Sequence, residues 1–371
     1  MSKTHLEKID FLRGAAILAV FAYHLQLVIF HRFEINEYAE ANNFLEISGL
    51  KSYILNFSPT AFGWAGVDLF LLISGFLIHY SYLLNESKFN NFSFFSKRFW
   101  RIYPPYLIAL LFFTFFTGQR SYYLFDTEGL KKLIAHLFLI HNLNDNTFGS
   151  INGSFWSLAL EVQLYLIYPF FLRLRKKMGI ENSFNLTLAI SFILLVAGII
   201  FPLLGKSASY NSSVFKLWFI WTAGAFLAEK YYRNEKIFKR LGFKTAVFIF
   251  VIAMFLKIHL YSNHFTIYLI TLSLIIFFEW YIYYETNIKT IYFRALSIIG
   301  ICSYSIYLIH QPYLKILLDF FQVFKDPNYY YLKYFIPINV VLTFLFIFCV
   351  SYVYYLLIEK TSIEFGKKLR K

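Results

Sequence analysis

Long apolar runs constrain this chain more than any other feature. Gly14–Phe30, Val67–Tyr80 and Phe335–Ile358 reach or approach the roughly 20 apolar residues that a membrane-crossing helix needs. In lipid, backbone N–H and C=O groups must pair within the segment or within a closed barrel. The alternating polarity of barrel strands is absent from these runs, so they read as helices. Composition agrees: 58% of the residues are apolar and 15% charged, against about 25% charged in soluble domains. That excludes a disordered chain, a disulfide-stapled secreted domain and an ordinary cytosolic enzyme.

The pattern predicts an all-α polytopic membrane protein, a single domain over residues 1–371, with about ten transmembrane helices. The spans are 9–30, 62–84, 102–118, 154–172, 184–204, 214–229, 245–261, 265–283, 296–317 and 334–358. Segment 130–141 is apolar but too short to cross, which suits an interfacial or re-entrant helix. With the N-terminus inside, 23 of the 35 Lys and Arg fall in inner segments and 9 in outer ones. Positive residues collect in cytoplasmic loops, so both termini are expected to be cytoplasmic. The net charge of +14 is then topological and not a sign of nucleic acid. Cys302 and Cys349 lie in apolar runs and read as packing residues, and no metal-ligand spacing is present. The first span carries Arg13 and has no small-x-small cleavage site, so it is expected to remain as a helix.

Charges inside a membrane are costly and mark functional cavities. Arg13 and His24 are eleven residues apart, which leaves them about 20° from full register on one helix face and about 16 Å apart along the axis. Asp10 is an i,i+3 neighbour able to hold the Arg13 guanidinium. Counted from the expected outer ends of their spans, His24, Asp68, Glu161 and His310 all lie about 9–11 Å deep. They are expected to form one polar layer, in which a carboxylate orients a histidine acting as acid or base. Sequence does not say which carboxylate faces which histidine. A single buried His or Asp bonded to a carbonyl is common, but four at one depth favour a shared site. Ser154, Ser157, Glu161 and Tyr165 follow i, i+3/i+4 spacing and share a face of their span.

The inner segment before span three reads Ser96-Lys97-Arg98-Phe99-Trp100-Arg101-Ile102-Tyr103-Pro104-Pro105. Its cations suit a phosphate-bearing ligand; standing alone they would equally be ordinary inner-loop charge. The tail Lys367-Lys368-Leu369-Arg370-Lys371 reads as topology or lipid-surface charge.

Five blocks resemble the acyltransferase 3 family of membrane acyltransferases. They are IDFLRGAAILAVFAYH from residue 9, GVDLFLLISGFLI (66–78), SKRFWRIYPPYL (96–107), NGSFWSLALEVQLYLIYPF (152–170) and SYSIYLIHQP (303–312). Each is weak alone; together, in family order, they are specific, and nothing is carried over beyond 312. The resemblance implies transfer of an acyl group, usually acetyl, from cytoplasmic acyl-CoA to a carbohydrate hydroxyl of the cell envelope or an exported glycan. Acetyl-CoA would be the donor and no metal is implied. The carbohydrate acceptor could be lipid-linked, and the location would be the inner membrane. By resemblance Arg13 and His24 take the family's essential Arg and His, Arg98 and Arg101 its Arg-x-x-Arg pair, and Glu161 its Trp-Ser-Leu-x-x-Glu carboxylate. Ser74, Trp156, Ser157 and Tyr307 lie in matching blocks as supporting residues, with Asp10 beside Arg13.

Resemblance and depth together give one expected mechanism. Donor phosphates dock on Arg98 and Arg101, with Arg13 as a further cation. The thioester meets the acceptor hydroxyl near His24, and His24 removes the proton while Glu161 or Asp68 orients it. His310 completes the layer, and an acyl-histidine intermediate is the alternative. The rival reading is a transporter or flippase for a glycan or small anionic solute. It predicts inverted repeats and broken helices in matching halves, which the sequence does not display. A glycan polymerase would need large outer loops, and those here are short.

Overall fold

The computed structural model describes residues 3–33, 58–116, 120–203, 214–260, 263–284, 290–320 and 336–370. Among these the regular elements are helices: α1 (Lys3–Phe33), α2 (Ala65–Leu83), α3 (Asn91–Phe116), α4 (Thr127–Leu137), α5 (Trp156–Leu203), α6 (Val214–Tyr232), α7 (Phe243–Leu260), α8 (Asn263–Tyr283), α9 (Ile291–Ile301), α10 (Ser303–Phe320), α11 (Ile336–Tyr354) and α12 (Lys360–Lys368). The chain divides into two units, 1–70 with 238–355, and 71–237 with 356–371.

Every expected span has a helix, but the count of ten is not reached by length and apolarity. Among the described residues six helices qualify, within α1, α2, α3, α5, α8 and the α11–α12 stretch, and a bent pair makes a seventh. The physical reasons are local. Spans 154–172 and 184–204 lie in the one element α5, which breaks at Gly179 (φ 81°). Helix α6 carries Lys216, Glu229 and Lys230 and buries most of its residues, so it has little need of a lipid-compatible surface. The apolar stretch of α7 ends at Leu256 and is short. Span 296–317 is two helices, α9 and α10, bent by 76°. Cys302 closes α9, with its N–H on the carbonyls of Ile298 and Gly300, and Ser303 starts α10. Sequence inspection does not mark the break, because Gly300 two residues before it sits inside an apolar run and no Pro stands there.

In the first unit, α1 lies along α9 with the two backbones in contact. A Cβ on Gly14 would sit 2.0 Å from the Leu296 carbonyl oxygen, and one on Gly300 would sit 1.7 Å from that of Asp10. Lipid gives helices no hydrophobic drive toward each other, so close approach at small residues supplies the attraction. Further along, Phe21 of α1 packs with Leu314 of α10 and Ile347 of α11. At the other end Lys8 donates to the carbonyls of Ile282 (3.3 Å) and Tyr284, satisfying acceptors at and just past the end of α8.

In the second unit, Gly75 of α2 and Gly224 of α6 make a similar crossing. Added Cβ atoms would lie 1.9 Å from the Trp221 oxygen and 2.1 Å from that of Leu72. Helices α5 and α6 are joined by Thr187 and Thr222 (2.6 Å) and by Ser191 donating to the Lys216 carbonyl (2.6 Å). The short apolar segment is α4, capped by Asp126, whose carboxylate accepts from the N–H groups of Glu128 and Gly129. It folds back along α3. Tyr103 donates to the Leu137 carbonyl (3.1 Å), Tyr106 to that of His136 (3.0 Å), and Phe155 packs on Tyr106. Its other face exposes Leu130, Ile134 and Phe138, the apolar surface expected of an interfacial helix. Beneath it the rings of His136 and His141 stack 3.8 Å apart, both fully buried. Burial holds His136 down to about 4. Burial, with His136 as a neighbour, holds His141 down to about 3.

Candidate active site

In the first unit Arg13 and His24 both stand on the one helix α1. Asp10 holds Arg13 at 3.5 Å near one end. About three turns beyond, His24 meets a partner, and that partner is not a carboxylate. His24 Nδ1 lies 2.8 Å from His310 Nε2. His310 is fully buried, and its Nδ1 lies 2.9 Å from the Tyr307 carbonyl and 3.2 Å from that of Ile306. A carbonyl only accepts, so the network assigns the proton of His310 to Nδ1. Its Nε2 is then an acceptor, and His24 Nδ1 must be the donor. The lone pair of His24 is left on Nε2, which has no hydrogen bond among the described residues. The expected His–carboxylate pairing at this position is therefore replaced by an imidazole pair. The i−3 and i−4 carbonyls of α10 supply the orientation a carboxylate would have given. Tyr307 contributes its carbonyl and a ring 5.5 Å from that of His310. Asp68 is buried, and its Oδ2 has no partner; it bonds to neither histidine.

In the second unit Glu161 belongs to a different cluster. Ser74 donates to Glu161 (3.2 Å) and lies 3.3 Å from the Tyr165 hydroxyl, which itself bonds Glu161. The Trp221 indole donates to Ser74 at 3.4 Å. Tyr165 of the expected stripe thus joins Glu161, while Ser154 turns to Asn152. Trp156 packs against Phe148. The segment after α3 folds back, so that α5 starts beside Tyr106, on which Phe155 packs. Glu161, about 9 Å further along α5, then lies within the electrostatic reach of Arg98.

Arg98 is half-buried, stacked 4.2 Å over the Phe94 ring. Arg101 is exposed. Arg98 shares with Lys88 and Lys97 a cavity of about 230 Å³ that also presents Ser81, Asn85 and Asn90 and has no acidic residue in its wall. Lys97 belongs to the cation group that the sequence marks, whereas Lys88 has no signal there, since inner-loop cations all look alike in sequence.

A His–carboxylate pair does exist, at a place the sequence did not mark. His79 Nε2 lies 3.2 Å from Glu229, and its Nδ1 3.1 Å from the Tyr168 hydroxyl. Glu229 also accepts from Arg175 and Arg233, and Arg175 reaches Glu86 at 2.8 Å. Two guanidiniums and a ring saturate that carboxylate, which suits a structural tie better than proton transfer.

An acyltransferase domain profile, that of the acyltransferase 3 family, matches residues 6–357. The chain belongs to the acyltransferase 3 family. Membership places it among the acyltransferases. An uncharacterized protein of Haemophilus influenzae is 30% identical over 41% of this chain and 67% of its own length. The peptidoglycan O-acetyltransferase OatA of Listeria monocytogenes is 29% identical over 46% of this chain. That match spans only 25% of OatA. No solved structure matches the chain.

Proposed function

We propose that this acyltransferase 3 protein is a multi-pass O-acyltransferase of the inner, cytoplasmic membrane. It would move an acetyl group from cytoplasmic acetyl-CoA to a hydroxyl of a cell-envelope carbohydrate, free or lipid-linked. The observation that carries the reading is the His24–His310 pair, a proton-ordered base with one open nitrogen. The bias of 23 against 9 cations supports termini on the cytoplasmic side. The name of OatA supports acetyl as the group and a peptidoglycan-like carbohydrate as the acceptor.

In this mechanism His24 Nε2 takes the proton of the acceptor hydroxyl as its oxygen attacks the thioester carbonyl. The C–S bond breaks, the thiolate receives that proton, and the products are the O-acyl ester and free CoA thiol. His310 does not change protonation; it holds His24 in the right tautomer and disperses the charge of the transient imidazolium. Donor phosphates rest on Arg98 and Arg101, with Lys88 and Lys97 in the adjoining cavity wall. Glu161, with Ser74 and Tyr165, keeps the guanidinium side of that site electrically balanced. Arg13, tied by Asp10, offers a further cation, and Asp68 a second buried carboxyl.

The test is mass spectrometry of envelope glycans with and without the protein, and with His24→Ala. The expected result is a mass difference of one acetyl group that disappears in the variant. Glycans identical in all three strains would sink the reading, and solute flux independent of acetyl-CoA would point to a transporter instead.

A further inference from the structure

Pro104 and Pro105 sit inside α3 directly after the cation pair. In an α-helix the N–H of residue i bonds the carbonyl of residue i−4, and proline has no N–H to give. Pro104 therefore gives no N–H to the carbonyl of Trp100, and Pro105 none to that of Arg101. The helix is weakest at the turn that carries Arg98 and Arg101. A buried or half-buried carbonyl in that state needs another donor.

The structure supplies one from the other end of the chain. Ser362 of α12 donates its hydroxyl to the Trp100 carbonyl. One turn on, Gly366 lies flat against the Trp100 side chain; a Cβ there would sit 2.4 Å from Trp100 Cγ. One turn further, Arg370 donates to Ser96 Oγ at 3.4 Å. Phe365 closes the edge of the Trp100 ring with centroids 4.9 Å apart. Residues 362 and 366 share one face of α12, and Arg370, just past its end, continues the same line. That line meets positions 96 and 100 of α3, which are also four apart. Ser362 and Gly366 are buried, whereas Lys360, Glu364, Lys367 and Lys368 face away.

We infer that α12 is a splint for the donor site, with Ser362 and Gly366 as positioning residues that hold the proline-weakened turn bearing Arg98 and Arg101 in its binding geometry. The inference rests on the reading of those arginines as donor ligands. Ser362 replaces the hydrogen bond that Pro104 removes, and Gly366 lets α12 approach closely enough to make it. Neither residue touches the donor. Their effect falls on donor affinity through the orientation of the guanidiniums and leaves the chemistry at His24 alone.

The test is direct binding of acetyl-CoA to the full-length protein in lipid nanodiscs, with thermal midpoint and elution profile recorded for each variant. Arg98→Ala is the reference. Ser362→Ala is expected to weaken acetyl-CoA binding about fivefold, the scale of one lost hydrogen bond. Ser362→Thr, which keeps the hydroxyl, should bind as the native chain does. Gly366→Leu should weaken binding about tenfold or more because α12 is pushed off Trp100, and adding Trp100→Ala should recover part of that loss. If Arg98→Ala weakens binding while Ser362→Ala and Gly366→Leu bind normally, the splint is overturned and the donor site stands. If Arg98→Ala itself binds normally, the donor reading falls and takes the splint with it. Should Gly366→Leu fail to fold, the Ser362 pair decides the matter alone.

Discussion

His24 and His310 share one hydrogen bond of 2.8 Å, and its direction is set by the Tyr307 carbonyl on the far side of His310. A chain of carbonyl, imidazole and imidazole leaves a single unoccupied lone pair, on His24 Nε2. Replacing His24 with Ala should cut acetyl transfer at least about 10²-fold, the usual contribution of a positioned base. His310→Leu, which removes the acceptor, should cost about tenfold or more. His310→Gln, whose amide oxygen can accept from His24, should retain more of the rate. Rates per unit of folded protein in membranes check this, and a fully active His310→Leu would refute it.

The cations of the second unit should act on the donor alone. Arg98→Ala combined with Arg101→Ala is expected to raise the KM for acetyl-CoA about tenfold or more with kcat little changed, the pattern of uniform binding lost. Lys97→Ala should do the same more weakly, since it offers a point charge instead of a planar fork. Initial rates across a range of acetyl-CoA concentrations separate the two constants. Equal falls in kcat and kcat/KM would assign these residues to the chemical step.

Much of this was legible in sequence because its cause is local. Apolar run length gives the helices, and the 100° turn per residue puts Arg13 and His24 on one face. What failed depended on tertiary structure. The surroundings of Glu161 follow from a segment that folds back along Tyr103 and Tyr106, and they include Arg98. The partner of His24 is delivered by α10 after a break at Cys302 that has no Pro and whose Gly300 is hidden in an apolar run. Arg175 looked like topological charge and instead saturates Glu229 beside His79.

The crossing of α2 and α6 should tolerate no side chain. Gly75→Leu would drive atoms into the Trp221 backbone and should destabilise the protein by at least about 2 kcal/mol, since backbone gives way less easily than side chains. Ser74 would move with it and disturb the Glu161 cluster. A lowered thermal midpoint of detergent-purified protein is the expected readout, and an unchanged midpoint would contradict the close contact.

Acid should loosen the fold-back. His136 and His141 are held neutral while folded, at about 4 and about 3, but an opened segment would titrate near the ordinary 6.5. Protons therefore bind the opened state first. Stability contributed by the stack is complete above about pH 6.5 and declines as pH falls toward 4, at a limit of about 1.4 kcal/mol per pH unit for each ring. Hydrogen exchange over 127–155, corrected for intrinsic rates, should quicken between pH 7 and 5, and His141→Phe should flatten that dependence. A native profile as flat as that of the variant would count against the buried neutral pair.

The bare backbone crossing of Gly14 and Gly300 makes that point a fulcrum. His24 stands ten residues further along α1, about 15 Å away, so about 4° of tilt swings it through about 1 Å. A 2.8 Å contact cannot stretch that far and remain a hydrogen bond. Helix tilt answers to bilayer thickness, so lipids of the wrong length would detune the imidazole pair without touching it.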